Sequence, residues 1–181
     1  MAQQHPNCDG VVVVMVPLPA QGHLNPLLHL TRVISSRGLP VHYIGLTTHI
    51  RQAKDRVHGW DPSNNSNIHF HEFNIPQIVH TTPPVNSHVS TCKYPSHLLP
   101  TFTAANTHLR EPLGVLLRHL STTNRRVVVV HDSMMSFAAH EASFLSNVEA
   151  FSFIVTSAFA VLHFVWEGYG KLADEGNNID N

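Results

Sequence analysis

Along this chain, short unbroken apolar runs alternate with longer stretches in which apolar positions recur every three or four residues. Val11 to Val16, VVVVMV, has no polar alternation and is rich in β-branched residues, which predicts a strand buried on both faces as parallel sheets require. Pro17 and Pro19 end it, since neither can donate to a ladder, and Gly22 allows a sharp turn before a loop that delivers His23. Asn25 followed by Pro26 reads as an N-cap with proline at the first helical position, and Leu27, Leu28, Leu30 and Ile34 supply an apolar face. That helix should end near Arg37, because Gly38 suits a helix terminus and Pro40 cannot continue it. Val41 to Leu46 predicts a second strand, Thr47 to Gly59 a basic surface helix or loop, Asp61 to Asn67 a turn, and Ile68 to Phe73, with its period of two, a third strand.

The next stretch, Asn74 to Pro100, holds five prolines and reads as a long irregular segment, either lining a pocket or forming a surface insert. Phe102 to Leu120 carries Leu109, Leu113, Leu116, Leu117 and Leu120 at helical spacing, with Pro112 as a possible kink. A polar turn at Asn124 to Arg126 leads into Val127 to Val130, a second fully apolar run, which ends in His131, Asp132 and Ser133. Phe137 to Leu145 predicts a short helix, Ala150 to Val155 a fifth strand and Ser157 to Tyr169 a closing helix. Alternating strands and helices predict an α/β fold, a doubly wound parallel sheet of Rossmann-like type in the order 3-2-1-4-5, over residues 11–170. Residues 1–10 and 171–181 are expected to be disordered.

Composition narrows the function. The 181 residues carry 11 basic and 12 acidic side chains, so no basic field is available for nucleic acid. Cys8 and Cys92 lie far apart without a CxxC pair, which speaks against a disulfide scaffold and for a reducing, cytoplasmic setting. The run from Ala150 to Trp166 is too short and too interrupted by Ser152, Thr156, Ser157 and His163 for a membrane span, and reads instead as a strand followed by a helix. The 16 histidines are scattered, with no HExxH or similar spacing, so no metal site is expected.

Ligands of open α/β sheets bind outside the carboxyl ends of the strands, at the point where strand order reverses. In the order 3-2-1-4-5 that point lies between strands one and four, about 4.8 Å apart. His23 follows strand one and Asp132 ends strand four, so the topology brings them together. At a helix N-terminus a histidine is biased toward its neutral, base-competent form, and an aspartate on one ring nitrogen would fix its tautomer and stabilise the imidazolium. The alternatives are a histidine that only caps or packs at the turn and an aspartate that caps the next helix. GxGxxG, GxxxxGK[ST] and GxSxG are all missing, which leaves a base without an enzyme nucleophile, suited to activating a substrate hydroxyl.

At PLPAQGHLNPLLHL the sequence resembles the plant family of UDP-sugar-dependent glycosyltransferases, inverting enzymes with two Rossmann-like lobes. RQAKDRVHGWDP, SNIHFHEF, PSHLLP, THLREPL and RRVVVVHDSMM narrow the resemblance to the zeatin O-glucosyltransferases and O-xylosyltransferases. The resemblance implies His23 as the base for the acceptor hydroxyl and Asp132 as its charge relay, with Thr156 or the neighbouring Ser157 contacting the donor. It implies UDP-glucose or UDP-xylose as co-substrate, no cofactor, and a small-molecule acceptor such as a cytokinin. The family's donor motif ending in HCGWNS does not occur in the 181 residues, so the expectation is an N-terminal acceptor-binding lobe without the C-terminal donor lobe. The other expectation is a truncated, non-catalytic binding or interaction module. The closing helix, apolar nearly all round at Phe159, Val161, Leu162, Phe164, Val165 and Trp166, should then leave an exposed apolar patch and make the isolated chain self-associate.

Overall fold

The computed structural model describes residues 10–58, 67–74 and 99–168. Of the ends expected to be disordered, Gly10 is described, its carbonyl accepting from the Arg126 N–H at 3.0 Å. The rest of both ends, nearly all of the Asp61 to Asn67 turn and most of the Asn74 to Pro100 stretch lie outside the described residues. Within them, β1 (Val11–Val16), α1 (Gln21–Ser35), β2 (Val41–Leu46), α2 (Thr47–His58), β3 (Ile68–Phe73), α3 (Leu99–Thr123), β4 (Arg126–Asp132), α4 (Phe137–Ala142), β5 (Val148–Phe153) and α5 (Ala158–Gly168) follow in order. The strands form one parallel sheet in the order β3-β2-β1-β4-β5.

Two apolar layers follow from strand alternation. Val12, Val14 and Val16 of β1 pack with Val127 and Val129 of β4 against Leu109, Leu113, Leu117 and Leu120 of α3 and Phe137 and Ala138 of α4. Val13 and Met15 face the other way, onto Leu27 and Leu28 of α1 and Ile50 and Ala53 of α2. Each fully buried leucine of α3 contributes about 2 kcal/mol. That burial explains why α3 continues past Pro112, whose missing N–H removes one helical bond among many. Pro100 sits at the second position of the same helix, where no N–H partner is needed.

Several expected boundaries move. Helix α1 begins at Gln21, four residues before the expected cap at Asn25, and Pro26 lies inside it. The Ala20 carbonyl accepts from the His23 and Leu24 N–H groups at 2.8 and 2.9 Å, so Ala20 takes the capping position, and Gly22 is helical instead of turning the chain. Gly38, at φ +84°, makes the turn expected after α1. Strand β5 starts two residues earlier than its apolar run because Asn147 is fixed on both sides. Its Nδ2 donates to the Ser121 and Asn124 carbonyls, its Oδ1 accepts from the Ser121 hydroxyl, and its own carbonyl accepts from the Val127 N–H.

Coverage of the sheet is uneven. Val128 and Val130 of β4 are only half-buried, and Phe151 beside them on β5 is 53% exposed, so the α1-side face of this half of the sheet is open. Helix α5 buries none of its residues, and Phe159 and Phe164 are 78% and 77% exposed. The apolar patch expected at this helix is present.

Candidate active site

The carboxyl ends of β1 and β4 are adjacent, with Val16 in register with His131. From β1, the chain passes Pro17 to Ala20 and enters α1 at once, which places His23 in the helix's first turn, not in a preceding loop. From β4, alternation sends His131 to the α3 side and Asp132 to the α1 side, where the Asp132 carboxylate meets His23. His23 Nδ1 and Asp132 Oδ2 are 2.7 Å apart, with Asp132 fully buried and the His23 side chain 29% exposed.

Asp132 is held from several directions. Its Oδ1 accepts from the Met134 N–H at 2.9 Å, and its carbonyl accepts from the Met135 N–H at 2.8 Å. An ionised carboxylate only accepts, so Nδ1 of His23 is the donor and the Nε2 lone pair is left to take a proton. That is the arrangement of a general base with an orienting acid.

Around His23 the structure adds a polar clamp that the sequence pattern did not reveal. Arg56 of α2 donates to the Asn25 Oδ1 and, at 3.1 Å, to the Gln21 Oε1, while the Gln21 side-chain amide donates to Gln52 at 2.6 Å. Asn25, expected as a helix cap, is instead the fifth residue of α1 and ties that helix to α2. From beneath, the buried Tyr43 hydroxyl donates to the Leu24 carbonyl at 3.1 Å, and burial raises the phenol well above its usual range. These contacts were invisible in sequence because their partners lie on separate elements, although the basic run in α2 was a signal.

Thr156 and Ser157 lie in the turn after β5, one strand further along the same edge of the sheet. Thr156 is exposed. The Ser157 hydroxyl accepts from the Ala160 N–H at 3.1 Å, which makes it the N-cap of α5. The structure therefore joins His23 to Asp132 directly and leaves Thr156 and Ser157 as neighbours on the rim. Among the described residues, no group of three or more His, Cys, Asp or Glu is arranged to hold a metal ion, and no helix is long and apolar enough to cross a membrane.

Comparison with known proteins decides the family. The family described as "Glycosyltransferase, N-terminal domain" matches residues 9–180. This chain belongs to it. The domain is 48% identical to zeatin O-glucosyltransferase of Phaseolus lunatus over 92% of its own length and 34% of that protein's. It is 48% identical to zeatin O-xylosyltransferase of Phaseolus vulgaris, over 91% of this chain and 34% of the relative, and 44% identical to cis-zeatin O-glucosyltransferase 2 of Zea mays, over 93% and 36%. The chain thus spans about a third of the length of the curated relatives it matches. Among solved structures, Arabidopsis thaliana UGT89C1 complexed with UDP shares the fold at a TM-score of 0.64 and 21% identity, over 94% of this domain and 40% of that chain. The 181 residues therefore correspond to the N-terminal domain of glycosyltransferases, and the relatives named above carry that domain in about their own first third.

Proposed function

We propose that this domain is the acceptor-binding lobe of a UDP-sugar-dependent O-glycosyltransferase acting on the hydroxyl of a cytokinin such as zeatin, with His23 as general base. The observation that carries the reading is the 2.7 Å contact between His23 and Asp132 at the carboxyl edge of the sheet. In the reaction, Nε2 of His23 takes the acceptor hydroxyl's proton while that oxygen bonds to the anomeric carbon of UDP-glucose or UDP-xylose. The bond from that carbon to UDP breaks on the opposite side, UDP leaves with the electron pair, and the centre inverts. Asp132 holds the resulting imidazolium. Thr156 and Ser157, on the rim one strand away, are the donor contacts of this reading, and a cytoplasmic setting accords with the spacing of the two cysteines.

The test is His23→Ala in a complete transferase carrying this domain. Turnover should fall by about 10²-fold or more, the contribution typical of a positioned base. A variant within a few-fold of its parent would remove His23 from the mechanism.

A second reading, a non-catalytic small-molecule-binding or interaction module, is favoured by one observation: α5 lies bare along its length. Incubating the 181-residue chain with zeatin and radiolabelled UDP-glucose separates the two. Labelled product supports catalysis by the chain itself, and zeatin binding without product supports the module.

A further inference from the structure

We infer that His131 is a positioning residue for the His23–Asp132 pair, holding through the main chain the carboxylate that orients the base. The inference rests on the reading of His23 as that base. His131 is the residue before Asp132 on β4, is only 5% exposed, and lies on the opposite face of the sheet from His23. Its Nδ1 is 2.7 Å from the Asp132 carbonyl oxygen. A carbonyl only accepts, so Nδ1 must carry the hydrogen, and the bond selects one tautomer of His131.

The carbonyl that His131 grips belongs to the peptide from which the chain turns toward α4. The next residues of that turn hold Asp132 in their own right: the Met134 N–H binds Oδ1 and the Met135 N–H shares the gripped carbonyl. The Ser133 N–H, which belongs to that same peptide, donates to the Phe153 carbonyl of β5 at 3.1 Å. The gripped carbonyl and the Ser133 N–H share one peptide plane, so His131 at one end and Phe153 at the other hold it. The turn that presents the Met134 N–H to Oδ1 starts from that held plane. That N–H decides which carboxylate oxygen remains for His23. With Oδ1 engaged and the plane locked, Oδ2 has one direction, and His23 Nδ1 lies along it. His131 reaches the site from the α3 layer and so couples the two sides of the sheet at the point where chemistry would occur.

A leucine at 131 matches the volume and removes the donor; an asparagine places an amide N–H close to where Nδ1–H stands. Magic-angle-spinning NMR of the ¹⁵N-histidine-labelled 181-residue chain reads the tautomers directly and is indifferent to self-association. Signals are assigned by difference against His23→Ala and His131→Asn. The expected result is an Nδ1–H tautomer for both His131 and His23 in the parent, retained by His23 in His131→Asn, and a His23 signal split between two tautomers in His131→Leu. A parent His131 in the Nε2–H form overturns the inference, as does a folded His131→Leu whose His23 stays wholly Nδ1–H. Should the leucine variant not fold, the parent's His131 tautomer still decides. The readout is the place of a ring proton and not turnover, so an active His23→Ala transferase, which would end the general-base reading, leaves these signals unaffected.

Discussion

His23 Nδ1 and Asp132 Oδ2 stand 2.7 Å apart, and the other carboxylate oxygen of Asp132 is already taken by the Met134 N–H. This division of labour makes Asp132→Asn informative. An asparagine must keep its oxygen toward Met134, because two N–H groups cannot face each other, and so presents its NH₂ to His23. His23 would then accept at Nδ1 and carry its proton on Nε2, where the base is needed. In a complete transferase carrying this domain, kcat should fall by about 10²-fold or more with the fold intact, as read by steady-state kinetics and circular dichroism. An asparagine variant of normal kcat would show that the tautomer is set elsewhere.

A second group of histidines predicts how stability depends on pH. His42 Nδ1 and His71 Nε2 are 2.7 Å apart, with nearly parallel rings and centroids at 5.0 Å, so the rings meet nitrogen to nitrogen and share one proton. His69 lies 4.9 Å from His42. Burial, followed by the charges of His71, His69 and His119, lowers His42 to about 4, and burial with His69 lowers His71. The unfolded chain binds these protons near 6.5 while the folded one resists, so stability is complete above 6.5 and is lost as pH falls toward about 4. The rings are only half-buried, so the expected loss is on the order of 1 kcal/mol. Urea midpoints measured across this range should fall with acid, and His42→Phe should flatten the slope. An unchanged slope in that variant would assign the acid sensitivity to other groups.

Helix α3 offers a paired test of its register. Leu113 is fully buried against the sheet and Val115, two residues on, is 54% exposed. Leu113→Ala should cost about 2–5 kcal/mol, and Val115→Ala less than about 0.5 kcal/mol. Denaturant unfolding of both variants checks it, and equal costs would mean that α3 presents a different stripe to the core.

The bare surface of α5 predicts association. Phe159, Leu162, Phe164, Val165 and Trp166 are all exposed, and so is Phe151 on β5. Light scattering of the 181-residue chain at concentrations on the order of tens of micromolar should show oligomers, and Phe159→Ser with Phe164→Ser should reduce them. A monodisperse parent with a sharp cooperative melt would show that the patch is tolerated as it stands.

Much of the frame was legible from local pattern. The stretches at Val11–Val16, Val41–Leu46 and Ile68–Phe73 became strands with the expected bounds, because a short apolar run or a period of two, closed by proline, glycine or polar turns, has few other solutions. Boundaries set by long-range contacts were less legible. Pro26 looked like a helix start, yet the Ala20 carbonyl and the Arg56 clamp draw the helix back to Gln21. Strand β5 slid by two residues because Asn147 is anchored to α3, a partner 26 residues away.

By itself the sequence determined the order of strands and helices, the α/β class and, through the point where strand order reverses, the pairing of His23 with Asp132. Those follow from periodicity and handedness, which act over a few residues at a time or constrain whole topologies. Only the tertiary structure decided which oxygen of Asp132 faces His23, that Ser157 caps α5, and that His131 grips the neighbouring carbonyl from the far side of the sheet. The reason is physical. A hydrogen bond is fixed by angles and distances of a few tenths of an ångström, and those are set only when every packed element has taken its place.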